Sequence, residues 1–391
     1  MKCMKRGTNE PFLVGNELKY VQNCINKNEI ASIGKYIDKF KKKLKIFTNA
    51  KHVVLCSSGT SALQVSLDVL GIKTGDEVIV PTFTFIATVN AVIYNNGTPI
   101  FMDCDNYCNI DIEKVIKFLD TRTYFKNGNT YNTKTRKKIF AIIPVHVWGS
   151  AVYLNKLVKI CKKKNIKIIE DATESLGTKF KKKQKFQNRH VGTIGDIGCL
   201  SFNGNKIITS AGGGAILTNN ENIAKKSSYL INQATNDSFS YIHKDIGYNF
   251  RMSNIHAAIG VAQLEKIKFL INKKNYINKF YKKKLSKLKE ISVLGMPEYS
   301  DNNCWQTNLL INQNNYKSLI IKIKKKLSSA GFGLRMAWHP CHLQLPYKKF
   351  DSYNIEKATK MAKRLICLPC SSFLKKRDLL KITNLIIQSI K

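Results

Sequence analysis

Short apolar runs alternate with amphipathic stretches along most of the first 170 residues. The pattern predicts strands at His52 to Ser57, Glu77 to Val80, Pro99 to Met102, Ile139 to Val147 and Ile166 to Ile169. Between them, apolar positions at helical spacing predict helices at Ser61 to Leu70, Phe85 to Tyr94, Ile112 to Leu119 and Leu154 to Lys164. The strands are β-rich and apolar on both faces, as a parallel sheet covered by helices on each side requires. Regular alternation of this kind predicts an α/β fold with a mostly parallel sheet. From Ser253 to about Leu288 the spacing of Ile255, Ile259, Ala262, Ile267 and Leu270 predicts one long helix. Past it the pattern changes to a strand at Trp305 to Ile311, a helix at Leu319 to Leu327 and a last helix at Leu379 to Ile390. We place a domain change near Lys266, giving a large domain over 1–265, which includes an N-terminal segment, and a smaller α+β domain over 266–391. Two polar excursions interrupt the first part: Tyr124 to Lys138, whose Asn127-Gly128 predicts a hairpin turn, and Lys179 to Arg189.

Composition narrows the function classes. The chain has 391 residues and a hydrophobic content of 43%, ordinary for a globular protein. No apolar run approaches the roughly 20 residues needed to cross a bilayer. The opening Met1-Lys-Cys-Met-Lys-Arg-Gly7 is polar at once, which predicts no secretory leader and a cytoplasmic location. A net charge of +39 raises the possibility of nucleic-acid binding. The lysines, however, lie in short runs along the whole chain, as at Lys41 to Lys43, Lys162 to Lys164, Lys181 to Lys183 and Lys282 to Lys284. No basic tail or recognition motif stands apart, so the charge reads as compositional drift that favours anionic ligands. Eleven cysteines show no framework spacing. Cys367-Leu-Pro-Cys370, with His339, Cys341 and His342 upstream, allows a zinc site to be imagined. A structural zinc site ordinarily shows two matched pairs, and buried reduced thiols are the favoured reading.

Three segments carry chemistry. Ser57-Ser-Gly-Thr-Ser-Ala-Leu63 joins a strand to a helix. The first helical turn leaves N–H groups unpaired, Gly59 lets the backbone approach a phosphate, and Thr60 adds a hydroxyl. Glu170-Asp171 ends a buried-looking strand, where ligands of open α/β sheets sit. Adjacent acids on a strand face opposite ways, so one of the two should face a ligand. A carboxylate there can keep a pyridinium nitrogen protonated. Ser201-Phe-Asn-Gly-Asn-Lys206, followed by Gly212 to Gly214, places a lysine after an apolar run and before a flexible turn. Such a lysine can form a Schiff base and then shuttle a proton, with Ser201 as an anion ligand. Phe85 follows a strand end, where an aromatic ring can stack on a flat ligand; Phe83 reads as core. Asn249 and Arg251, just before the long helix, could reach an anion, within the chain or across a dimer interface.

Taken in order, these segments resemble the sugar aminotransferases of the DegT/DnrJ/EryC1/StrS family. The resemblance runs from about Pro11 to Pro369. It rests on Ser57 to Leu63, Pro81 to Phe85, Pro144-Val-His-Val-Trp-Gly149, Glu170 to Ser175, Ser201 to Lys206 and Tyr248 to Arg251, with a 35-residue step from Asp171 to Lys206. It implies the type I fold of pyridoxal 5'-phosphate enzymes and that cofactor. By position, Lys206 matches the lysine that carries the cofactor and Asp171 the partner of its ring nitrogen. Ser201, Gly59 and Thr60 match phosphate ligands and Phe85 the stacking aromatic. Glu174 stands where many members carry His or Gln against the cofactor. Asn249 matches a phosphate ligand given by the second subunit of a homodimer. Trp148 replaces a usual Tyr or Phe, and Ser210-Ala211 precedes the glycines where Thr is commoner.

Glu174, the Ser-Phe-Asn-Gly-Asn-Lys form and the Tyr124 to Lys138 insertion resemble the branch acting at C4 of nucleotide-linked 4-keto-6-deoxy sugars. The resemblance implies transfer of an amino group, with glutamate as donor, onto UDP-4-keto-6-deoxy-N-acetylglucosamine for surface glycan synthesis. The alternatives are a GDP- or dTDP-linked sugar, or a binding or regulatory homologue without catalysis. Intact Lys206 and Asp171 speak against the last. Arg335 and His339 are further contributors to consider for substrate contact.

Overall fold

The computed structural model describes residues 7–181, 185–237 and 239–390. The polar opening Met1 to Arg6 and two of the lysines in the run Lys181 to Lys183 therefore lie outside the described residues. An eight-stranded sheet organises the chain, in the order His52–Cys56, Gly214–Thr218, Ile197–Ser201, Lys167–Asp171, Ile139–Ile142, Glu77–Pro81, Thr98–Met102 and Ser352–Tyr353. All neighbours pair in parallel except Gly214–Thr218, which runs antiparallel to both of its neighbours. Along most strands, successive residues enter different apolar clusters. Ile79, Ile142, Ile168 and Leu200 join one face, while Val78, Val80, Ile169 and Cys199 join the other. The two-sided apolarity of the strands is thus the period of two meeting helices on both faces.

The antiparallel strand shapes the site. The chain leaves Ile197–Ser201 at its carboxyl end and must return to the same end to begin Gly214–Thr218. The connection, residues 202–213, therefore arches over the carboxyl edge of the sheet and carries Lys206 there. The close approach needs glycine on the strand itself. A Cβ on Gly198 would sit 2.0 Å from the Gly192 carbonyl oxygen and 2.5 Å from its Cα, so the loop before the strand packs directly on its backbone.

Three details differ from the sequence reading. The expected long helix is two, Asn254–Glu265 and Ile267–Leu285. Lys266 breaks it at φ −103°, ψ 3°, with its N–H turned back to Gln263 and Leu264 carbonyls, although the apolar spacing runs on across the break. The strand expected from Trp305 begins only at Asn308. The strand expected over Ile139 to Val147 ends at Ile142, and Val145 keeps a single bridge to Asp171. Proline at 144 lacks the N–H that a continuing ladder would use.

Residues after Lys266 build a four-stranded antiparallel sheet, ordered Ile291–Val293, Asn308–Ile311, Leu365–Cys367 and Arg335–Met336. Its own apolar cluster gathers Ile277, Tyr281, Leu309, Ile366, Leu379 and Ile382. Asp103 ties this part to the large sheet: its buried carboxylate accepts from the N–H groups of Glu356, Lys357 and Ala358 at the start of helix Lys357–Arg364, and from Lys114 Nζ at 2.6 Å. Burial alone would raise that carboxyl. The Lys114 bond and the three N–H donors win and hold it down at about 2. The polar insertion forms the hairpin Thr123–Lys126 and Asn129–Asn132, turning at Asn127 and Gly128, both with positive φ. Glu77 latches it by accepting from Asn132 Nδ2 and Thr135 Oγ1.

Gly198→Ala should destabilise the protein by about 1–3 kcal/mol, because backbone on both sides of the new methyl must move. A lowered urea midpoint at unchanged slope checks it; an unchanged midpoint would show that the strand and loop separate freely.

Candidate active site

Strand and helix ends converge in one cleft at the carboxyl edge of the large sheet. Ser57 to Thr60, Phe85, Thr88, Asp171, Glu174, Ser201, Lys206, Trp305, Arg335 and Trp338 all line it. Seven of the eight residues singled out from sequence are therefore brought together: Gly59, Thr60, Phe85, Asp171, Glu174, Ser201 and Lys206. The eighth, Asn249, is exposed and lies outside this chain's own cleft. His339 is also exposed and does not line it. The cysteine and histidine residues considered for zinc form no ligand cluster among the described residues, and Cys341, Cys367 and Cys370 are buried free thiols.

The strand's period of two separates the paired acids. Glu170 turns away from the cleft and is fully buried. It accepts from His146 Nε2 at 3.0 Å and from the N–H groups of Gly192, Ile194 and Gly195 at 2.6–2.8 Å. Burial alone would raise its carboxyl, but the His146 contact and the glycine donors pull it below the ordinary range. His146 accepts from Val152 N at Nδ1, which leaves Nε2 to donate. Asp171 faces the cleft. Its carboxylate accepts from the Thr88 hydroxyl at 2.7 Å and from Thr173 N at 3.1 Å, and so is fixed by the helix Ala87–Tyr94 and by the turn after its own strand.

Lys206 stands across the cleft. Its ammonium lies 3.3 Å from Glu174 Oε1 and 4.6 Å above the centre of the Trp305 ring. The other Glu174 oxygen accepts from Trp148 N at 2.8 Å. Burial pushes the Glu174 carboxyl upward, against the opposing pull of the Lys206 charge. Trp148 itself adopts φ 55°, a left-handed conformation rare for a bulky residue, and that turn is what aims its N–H at Glu174. Its ring packs against Phe83 and Trp338, with centroids 5.3 and 5.2 Å away. Phe83 is fully buried, whereas Phe85 is 57% exposed at the cleft mouth.

The anion end is built by the helix Gly59–Leu70. Ser58 caps it through a reciprocal capping box with Ser61. The N–H groups of Gly59 and Thr60 begin the helix, where no intrahelical acceptor exists and the helix dipole is positive. A Cβ on Gly59 would meet Ser201 Cβ at 2.8 Å and Thr173 Cγ2 at 3.1 Å. Glycine there lets the helix start lie directly beside the Ser201 hydroxyl. A lysine, a fixed carboxylate, a ring-sized aromatic and a helix-start anion cradle share one cleft. The chemistry of this donor set fits pyridoxal phosphate: Ser201, Gly59 and Thr60 would take the phosphate, Asp171 would face the ring nitrogen and Lys206 would take the aldehyde carbon.

Sequence reasoning missed Thr88, Thr173, Trp305 and Trp338. Thr173 lies inside the Glu170 to Ser175 motif and Thr88 three residues past Phe85, so their polar side chains close to the key residues were the available signal. Trp305 and Trp338 come from distant parts of the chain and carry no local sign of the cleft.

The family model that matches residues 12–387 is the DegT/DnrJ/EryC1/StrS aminotransferase family. A GDP-perosamine synthase from Escherichia coli O157:H7 is 38% identical over 282 residues, 72% of each chain. A UDP-4-amino-4,6-dideoxy-N-acetyl-beta-L-altrosamine transaminase from Campylobacter jejuni subsp. jejuni serotype O:23/36 is 29% identical over 90% of this chain and 89% of its own. Among solved structures, a DegT DnrJ EryC1 StrS aminotransferase from Brucella abortus superposes with a TM-score of 0.84 at 26% identity, covering 95% of both chains. With the family model matching nearly the whole length, the chain is a member of the DegT/DnrJ/EryC1/StrS aminotransferase family.

Proposed function

We propose that this aminotransferase moves an amino group, with glutamate as donor, to C4 of a nucleotide-linked 4-keto-6-deoxy sugar. The observation that carries the reading is the shared cleft of Lys206, Asp171 and the Gly59–Ser201 cradle. When bound, pyridoxal phosphate supplies an electron sink for the carbon that loses or gains the amino group. Lys206 Nζ would hold the cofactor and, as a free amine, would accept the proton from the donor carbon and return one on the acceptor side. Glu174 gives that amine a fixed resting partner at 3.3 Å, so that it stays within the cleft when displaced. Asp171, locked by Thr88 and Thr173, holds a proton on the ring nitrogen. Phe85 and the helix start of Gly59 orient the ring and phosphate.

UDP-4-keto-6-deoxy-N-acetylglucosamine is the acceptor we favour, for surface glycan synthesis. Glu174, the Ser201 to Lys206 motif and the hairpin insertion support it, together with the similarity to the UDP-sugar transaminase of Campylobacter jejuni. The GDP-perosamine synthase at 38% identity favours a second reading, a GDP-linked acceptor. Incubation with glutamate and matched UDP- and GDP-linked 4-keto-6-deoxy sugars, with mass detection of the amine, decides between them. Amine formed only from the UDP sugar supports the first reading, and amine formed only from the GDP sugar replaces it with the second.

A second copy of the chain completes the site in this reading. Asn249 is exposed beyond its own cleft, and the nearby segment presents Phe239 and Ile246 at 94% and 91% exposure, with Tyr241 and Ile242. Apolar side chains grouped this way need a cover, and an isologous dimer supplies one while delivering the partner's Asn249 to the phosphate. Light scattering should give twice the chain mass, and Ile246→Asp should shift it toward the single-chain value.

Lys206→Ala should lower turnover by roughly 10²–10⁴-fold or more, the range for loss of a positioned proton carrier. Asp171→Asn should lose most of the activity while the Thr88 contact survives. Wild-type turnover in either variant, measured by glutamate consumption, would overturn the assigned roles.

A further inference from the structure

The helix Ile267–Leu285 carries a lysine that the chemistry above does not use. Lys274 is 2% exposed, and among the described residues its ammonium contacts no carboxylate. It donates to three neutral oxygens: Asn9 Oδ1 at 2.6 Å, Cys370 O at 2.8 Å and Trp305 O at 3.1 Å, with Cys370 Sγ at 3.8 Å. Burial pulls its pKa down. A buried cation without a counter-ion is costly, and a methionine or leucine fills such a space without that cost. What the apolar residue cannot do is hold three acceptors from three chain segments in one arrangement.

Two of those three segments meet again one residue before Lys206. Asn9, gripped through Oδ1, donates from Nδ2 to the Asn205 carbonyl at 2.9 Å. Trp305, gripped through its own carbonyl, donates from indole Nε1 to the same Asn205 oxygen at 2.6 Å. Both lone pairs of that oxygen are thereby taken. The same indole ring lies beneath Lys206 Nζ. On its other side the loop is lightly held: Lys206 N closes a turn on Asn203 O at 3.0 Å, and a Cβ on Gly204 would meet nothing within 4 Å. The peptide before the lysine is therefore set by two donors that Lys274 holds in place.

We propose that Lys274 is a positioning residue for Lys206, acting through Asn9 and Trp305 on the Asn205 carbonyl. The proposal rests on Lys206 being the reacting amine. It requires that loosening the hub let the amine wander from the cleft, which lowers the chemical step more than substrate binding. It also requires that the Asn9 amide matter for its donor end and not only as a ligand of the buried cation.

Two substitutions separate positioning from simple stapling. Lys274→Met removes the hub and keeps the volume. Asn9→Asp keeps an oxygen for Lys274, now a charged one, and deletes the donor to Asn205. Two readouts are taken well below each variant's own melting midpoint. The first is the rate of Lys206 acetylation by limiting acetic anhydride in the cofactor-free protein, ratioed by peptide mass spectrometry to surface lysines of the same sample. The second is kcat and KM separately. We expect both variants to change the Lys206 labelling ratio at least about threefold. We also expect kcat to fall about tenfold or more with little change in KM, as small misplacements of reacting groups do. Asn9→Asp should do so with a melting midpoint close to wild type. Unchanged labelling and kcat in folded Asn9→Asp would overturn the proposal and leave Lys274 as a staple of the fold. If the unmodified protein turned over no keto-sugar, the functional reading would fail instead, while the labelling ratios would still report on the hub.

Discussion

A strand can present only one of two adjacent side chains to a given face, and the site grows from that constraint at Glu170 and Asp171. Glu170 takes the inner face and gathers His146 and the N–H groups of Gly192, Ile194 and Gly195. The loop it fixes is the one whose backbone presses on Gly198, and Gly198 lies in the strand that leads to Lys206. Asp171 takes the outer face and is left to the cleft, held by Thr88 and Thr173. One carboxylate builds the wall, and its neighbour is thereby delivered to the chemistry. His146 joins the two, since its N–H bonds the Asp171 carbonyl while its ring bonds Glu170.

The electrostatics of the cleft are local, although the chain as a whole carries +39. Inside the cleft, Lys206 faces Glu174, with Asp171 nearby and Arg335 at the lining. Charges held this close in a partly dry site interact far more strongly than the dispersed surface lysines, which water and salt screen. A surface excess of this sign favours the approach of anions; the buried groups set the chemistry of the cleft.

The parallel sheet and most of its helices were legible because two-sided burial writes apolar runs into each strand. The cleft was legible where its residues cluster in motifs, so that Gly59, Asp171 and Lys206 could be named before their distances were known. What escaped had no local signature. The antiparallel strand Gly214–Thr218 follows a glycine run and reads like any other apolar segment, yet it is what returns the lysine loop to the right edge. The break at Lys266 costs no apolar position, so the spacing of Ile255 to Leu270 passes over it. Trp305 sits 99 residues beyond Lys206, and its place under the ammonium depends on the Asn9–Lys274 hub, which only tertiary packing assembles.

The proposed chemistry stands on one ε-amino group among dozens, that of Lys206, holding the cofactor. Borohydride reduction of the protein loaded with pyridoxal phosphate, followed by peptide mapping, tests it directly. A single stoichiometric adduct should appear on the peptide containing Lys206. An adduct on another lysine, or label spread evenly over the surface lysines with none favoured, would contradict it.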